Sequence, residues 1–252
     1  LLGLIILLFL AWNIRTANVP GLIDVATSEQ TLGPDLDPYL FLRYAKQIVE
    51  EGGLVEIDTM RNVPLGFNTG GETKLLPYMI AYTHKIINVF TDKSVTYAGI
   101  MFPVYMFLLT VIAFFLFIRK VFENKKYKDI IALIASGFLI VIPSLLPRTI
   151  AGIPEKESVS FLFMILAFYF FLMSWKSKNL KKAIIYGLLA GVSTAGMGLI
   201  WGGVRYIFMS ISLTALIGFI IGQVNKKRFI GFGSWVFSTY FLMMIFFPMK
   251  YT

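Results

Sequence analysis

The sequence predicts an all-α polytopic membrane protein with a large first extramembrane loop. The chain has 252 residues, 57% of them hydrophobic and 15% charged, with a mean hydropathy of +0.75. Soluble domains carry about a quarter charged residues. Apolar runs of membrane-spanning length recur along the chain, and the basic residues gather in short loops between them.

The first run, LLGLIILLFLAW at 1–12, is too short to span unaided. The chain starts without methionine, has no A-x-A-like cleavage site after this run, and stops at MKYT straight after another apolar run. It is therefore expected to be a piece of a longer protein, with 1–12 an incomplete span. Residues 13–95 are long and polar. Within them GPDLDPYLFLRYAKQIVEEG predicts a helix with Asp37 as N-cap, Pro38 at the first helical position and a stop at Gly52–Gly53. Further spans are expected at 96–118, 129–147, 158–175, 183–200, 204–222 and 229–248. Pro143 and Pro147 fall near the end of the 129–147 span, where broken backbone can be tolerated.

Charge sets the expected orientation. The loops RKVFENKKYKD, WKSKNLKK and NKKR hold twelve of the 23 basic residues. Alternate threading puts all three on one side, cytoplasmic by the positive-inside rule. Of the 14 acidic residues only Glu123 and Asp129 lie in or beside these loops; the rest face outward. Because the basic charge is split among membrane loops, it forms no stripe for nucleic acid. The absence of cysteine excludes disulfides and thiolate metal sites.

Two outward acidic pairs stand out: Asp35 and Asp37, and Glu155 and Glu157 in PRTIAGIPEKESVSF. Carboxylates at a membrane helix end are costly unless hydrated, paired or cation-bound, roughly 2.5–3.5 kcal/mol each at full depth and less near the interface. Oxygen-only ligands suit a hard cation such as Mg²⁺ or Mn²⁺. Capping is the competing explanation: it accounts for Asp37 but leaves Asp35 without a role, and helix-dipole attraction accounts for Glu155 and Glu157. His84, the single histidine, sits in an amphipathic stretch and fits a surface or packing role.

Four blocks in order, GPDLDPYLFLRYAKQIVEEG, IDTMRNVPLGFNTGGETKLLPYMIA, RTIAGIPEKES and GLIWGG, resemble the catalytic subunit of oligosaccharyltransferase, the membrane enzyme that N-glycosylates asparagine, in its archaeal form. The resemblance covers nearly the whole chain, as the N-terminal part of that family's membrane domain. It implies a GT-C type fold and metal-dependent, inverting transfer of an oligosaccharide from a lipid-phosphate or lipid-pyrophosphate donor to the asparagine amide of an acceptor with an N-x-S/T sequon. By the same resemblance Asp37, Glu155 and Glu157 are the metal ligands for Mn²⁺ or Mg²⁺, with Asp37 and Glu155 catalytic. Asp35, Arg148 and Arg205 are substrate-binding candidates. Arg205 also fits snorkelling to membrane lipid headgroups. Most relatives carry aspartate where Glu155 stands. Trp201, Gly202 and Gly203 match a structural block in which small residues permit close helix approach.

The family's later external-loop glutamate and its WWDYG block, in a soluble C-terminal domain, do not occur here. Half a site, inactive alone, is the expectation for 1–252. Two other functions fit less well. A secondary transporter would place ionisable groups at the midplane, whereas these lie at interfaces. Another glycosyltransferase using lipid-phosphate sugars shares the first acidic motif but not RTIAGIPEKES with WGG.

Overall fold

A computed structural model describes residues 1–246; positions 247 and 248 of the last expected span lie outside the described residues. Helix α1 (Leu2–Thr16) outlasts the apolar run that the sequence shows, and with the turn Val19–Gly21 makes a stretch of 20 residues apolar enough to span. Its polar residues are absorbed. Asn13 donates to the Phe9 carbonyl, Thr16 to that of Trp12, and Arg15 is fully buried.

The polar segment that follows has its own architecture. Helix α2 (Leu36–Glu51) ends at Gly52, whose φ of 83° is the left-handed cap that glycine adopts without strain. A short hairpin, β1 (Ile57–Asp58) and β2 (Phe67–Asn68), leads to α3 (Leu75–Ile87). The apolar faces of α2 and α3 form one core with the next helices through Phe41, Ile48, Leu76, Ile80 and Phe102. A polar staple closes the other side. The Asp58 carboxylate is 2% exposed and takes both terminal nitrogens of Arg43, the Tyr44 hydroxyl and the Met60 amide. Arg61 in turn donates to Tyr44 and Glu72, each at 2.9 Å, and lies over the Phe67 ring. His84 ties α3 to its exit with Asn88 and the Lys93 carbonyl, in keeping with its packing role.

Helix α4 (Val95–Val121) begins at the Ser94 cap and is the longest among the described residues. After it, α5 (Lys128–Val141) stops well short of the 129–147 segment expected as one span. Its 14 residues reach about 21 Å, against about 30 Å of hydrocarbon. The chain turns before Pro143 and continues as one helical turn, α6 (Leu146–Thr149), started with Pro147 at a position where no amide donor is needed. Helices α7 (Lys156–Lys176), α8 (Leu180–Gly198), α9 (Arg205–Ile220) and α10 (Lys226–Phe246) complete the described bundle. Among the described residues, five stretches can cross a membrane by length and composition: Leu2–Gly21, Val95–Val121, Lys156–Lys176, Gly202–Ile220 and Lys226–Phe246. The protein is a multi-pass helical membrane protein.

Small residues set the closest helix contact, but not where the sequence pointed. A Cβ on Gly203 would first strike the Trp201 ring, and one on Gly202 would meet nothing within 4 Å, so the WGG block lets an indole fold over its own turn. Close approach comes instead from Gly187 and Gly191, four apart on α8. A Cβ at Gly187 would lie 2.4 Å from the Gly231 carbonyl oxygen, and at Gly191 1.8 Å from Ser238 Oγ. Trp235, buried in this α8–α10 seam, donates to Thr194 Oγ1 at 2.9 Å. The basic loops meet at one end of the bundle. Lys176 reaches Glu123 and the Lys120 carbonyl, and Arg228 reaches the Trp175 carbonyl.

Gly191→Leu is expected to cost at least about 2 kcal/mol by overpacking, read as a lower unfolding temperature in detergent. The Arg43 hydrogen bond, with help from Tyr44, holds the Asp58 carboxyl at about 2. A carboxylate depressed in this way stabilises the fold above its unfolded pKa near 3.8 and loses that contribution as pH falls toward 2. Asp58→Asn should remove about 2 kcal/mol and flatten the pH dependence of unfolding between pH 4 and 2, followed by proteolysis of the 52–74 segment.

Candidate functional site

The two acidic pairs occupy the same register on two helices. Asp35 is the N-cap of α2, with extended backbone and its carboxylate accepting from the Leu36 amide at 2.8 Å. Asp37 stands second in the first turn, exposed, with no side-chain hydrogen bond or ion pair among the described residues. Glu155 is the N-cap of α7, its carboxylate taking the Lys156 amide while Ser158 Oγ donates to its carbonyl at 2.6 Å. Glu157 stands second in that turn. The capping assignment made from sequence is therefore corrected. Asp35 holds the cap, and Asp37 is the residue without a structural bond. The reason is that Pro38 sits at the third helical position, where a missing amide hydrogen also costs nothing, so the proline did not fix the helix start. A shared spelling, Pro34-Asp35-Leu36-Asp37 and Pro154-Glu155-Lys156-Glu157, was the signal for the common register.

Backbone pairing brings the two helix starts together. The Gly33 amide donates to the Gly152 carbonyl at 2.8 Å, and the Gly152 amide donates to the Ile100 carbonyl of α4 at 2.9 Å. Gly152 has φ 84°, and a Cβ there would lie 2.6 Å from Leu22 and 3.1 Å from the Gly33 nitrogen. Two further bonds fix the preceding residue: the Ala151 amide donates to the Arg15 carbonyl and the Asn18 side chain donates to the Ala151 carbonyl. Beneath lies an apolar floor of Leu22, Leu32, Leu42, Ile100, Met101 and Val104.

Electrostatics record how close the carboxylates come. Burial first, then the charges of Glu157, Asp35 and, more weakly, Asp37, push the Glu155 carboxyl above the usual carboxylate range, against the pull of the Lys156 amide. Arg148, on α6, reaches between the motifs. Its Nη1 stands 3.7 Å from Asp35 Oδ2 and 3.6 Å from Glu155 Oε1. The Arg148 side chain is 46% exposed and that of Glu155 only 7%. Thus Asp35, Asp37, Arg148, Glu155 and Glu157 form one cluster. Arg205, exposed at the start of α9, makes no hydrogen bond or ion pair with it among the described residues. Nor do three carboxylate or imidazole groups among the described residues already converge on a common metal position. Sequence reasoning missed Arg15, Asn18 and Thr149, which support the second motif from behind; an arginine closing an apolar run was the available sign of the first.

The sequence model of the family described as Oligosaccharyl transferase STT3, N-terminal, matches residues 7–252. The chain belongs to the STT3 family. It is 27% identical over 202 residues to the dolichyl-phosphooligosaccharide-protein glycotransferase 1 of Pyrococcus furiosus, a match covering 77% of this chain and 20% of that protein. It is 25% identical over 113 residues, 44% of this chain, to the STT3 subunit of the Saccharomyces cerevisiae glycosyltransferase, and covers 15% of it. The fold is that of the Archaeoglobus fulgidus oligosaccharyltransferase, a GT-C protein. Its structure with zinc and sulfate superposes over 96% of this chain with a TM-score of 0.81 at 20% identity. The same protein tethered to an acceptor peptide with an NVT sequon superposes with a TM-score of 0.77, and an Archaeoglobus fulgidus oligosaccharyltransferase with an inhibitory peptide and a dolichol-phosphate with a TM-score of 0.76. This STT3 chain spans 31% of the Archaeoglobus chain in the zinc complex.

Asp35→Ala is expected to lower stability by about 1 kcal/mol through loss of the cap, whereas Asp37→Ala changes it by less than about 0.5 kcal/mol. Thermal unfolding of the two variants side by side checks the assignment.

Proposed function

We propose that the protein transfers an oligosaccharide from a lipid-phosphate or lipid-pyrophosphate donor to the asparagine amide of an acceptor polypeptide carrying an N-x-S/T sequon. The observation that carries this is the meeting of two acidic helix starts around Arg148 in a chain of the STT3 family. The Archaeoglobus relative's complexes with an acceptor peptide and a dolichol-phosphate support the same two partners here. The basic loops gathered at the opposite end support an orientation with that end cytoplasmic and the acidic cluster on the outer face.

A hard divalent cation, Mn²⁺ or Mg²⁺, fits the chemistry of the cluster. The donors are carboxylate oxygens, and the repulsion felt by Glu155 from Glu157, Asp35 and Asp37 is what a bound cation relieves. Asp37, Glu155 and Glu157 are the residues that would hold it. When bound, it supplies positive charge to the leaving phosphate. The rest falls to the protein's own groups. Asp37, exposed and without a structural bond, can also accept a hydrogen bond from the acceptor amide and orient its nitrogen for in-line attack, which inverts the anomeric carbon. Glu155, anchored by its cap and buried on one side, fixes the geometry of the cluster. Arg148 is held to its carboxylates only at long range and half-exposed, so its guanidinium is able to turn to a phosphate. Arg205, exposed at the outer end of α9, meets lipid headgroups.

Mn²⁺ titration by electron paramagnetic resonance, on the purified protein in lipid nanodiscs, tests the cation site. Asp37→Ala and Glu157→Ala should each weaken binding at least about tenfold while the unfolding temperature stays near wild type. Wild-type affinity in both variants would return the two acidic pairs to structural roles.

A further inference from the structure

Arg15 is a costly residue to bury. It is 0% exposed, close to the end of α1, and among the described residues no carboxylate pairs with it. Among the described residues its Nη1 and Nη2 have no hydrogen-bond partner. A buried guanidinium left in this way costs several kcal/mol in general. What it does make is specific. Nε donates to Thr149 Oγ1 at 2.7 Å, and the guanidinium lies over the Phe107 ring at 4.0 Å. Thr149 passes the bond on, donating to the Leu145 carbonyl at 2.6 Å. Two residues later in the same loop, the Ala151 amide donates to the backbone carbonyl of Arg15 itself. Arg15 therefore grips the loop twice, once on each side of Ile150.

We propose that Arg15 is a positioning residue for the second acidic motif. It braces α6 and the 149–152 loop against α1 and α4, so that Arg148 on one side and Glu155 on the other stand at fixed places opposite Asp35. Packing alone would be served by a methionine of similar size. An arginine adds direction: a planar donor clamped on the Phe107 face reaches Thr149 at one angle only. α6 has a single turn and no side-chain cap of its own, so its orientation depends on what it is tied to. In its bearing on cation binding the inference rests on the function proposed above; in its bearing on the loop it does not.

Hydrogen exchange read by mass spectrometry on nanodisc-embedded protein, together with the Mn²⁺ titration, tests it on Arg15→Met, Arg15→Lys and Thr149→Val. The expected result is faster exchange confined to residues 146–155 in Arg15→Met and Thr149→Val, unchanged protection in α4, α7 and α8, and Mn²⁺ affinity about tenfold weaker. Arg15→Lys should recover part of both. Should Arg15→Met fail to fold, the near-isosteric Thr149→Val gives the same reading. Wild-type exchange in the 146–155 loop of Thr149→Val, or loosening spread evenly over every helix, would overturn the positioning role. If wild type binds no Mn²⁺, the cation site fails and the exchange data alone decide whether Arg15 holds the loop.

Discussion

The arrangement at the acidic end depends on one short stretch of backbone. Ala151 and Gly152 give both amides and both carbonyls to other elements: to Arg15 and Asn18 at the end of α1, to Ile100 in α4, and to Gly33 ahead of α2. The bond between the two loops, Gly33 to Gly152, is backbone to backbone, and a Cβ at Gly152 would run into Leu22 and the Gly33 nitrogen. Buried backbone groups left unpaired would cost more than the loop could offset. The docking is thus strongly specified, and the cap residues Asp35 and Glu155 are carried into proximity by it.

That docking sets carboxylates against one another. Both helix dipoles point positive ends at the cluster, which lowers the cost of Asp35 and Glu155 as caps. The remaining repulsion still falls on Glu155, the most buried of the four. Arg148 answers it only in part, from 3.6 Å and across a half-exposed side chain. A fold built for stability alone would place a closer base here, as the staple at Asp58 does with Arg43. The contrast separates the two acidic sites of the protein. Asp58 is satisfied four times over and serves the fold. Asp37 and Glu157 sit in helix first turns and make no side-chain hydrogen bond or ion pair among the described residues.

Much of the architecture was legible because a bilayer imposes it. Long apolar stretches around α4, α7, α9 and α10 can only be helices in hydrocarbon, and their lengths follow from its thickness. The limits of α1 and α5 were not legible. Asn13 and Arg15 break the hydropathy of the first run although neighbours absorb them, and the run up to Pro147 reads as one span although the backbone turns before Pro143. The α8–α10 seam was also missed, since Gly187 and Gly191 look like ordinary glycines of an apolar helix until Gly231 and Ser238 are seen against them.

The acidic residues, their spacing of two and their place beside membrane helices were fixed by the order of amino acids alone, as was the family resemblance carried by four blocks. Which aspartate caps and which is free was decided by tertiary structure, because Pro38 is compatible with more than one helix start. So was the joining of residues 33–37 with 148–157, more than a hundred positions apart. Local sequence cannot state such a contact: it arises from backbone hydrogen bonds that any residue could make, at a glycine whose need for a bare α-carbon comes from Leu22 and Gly33 across the interface.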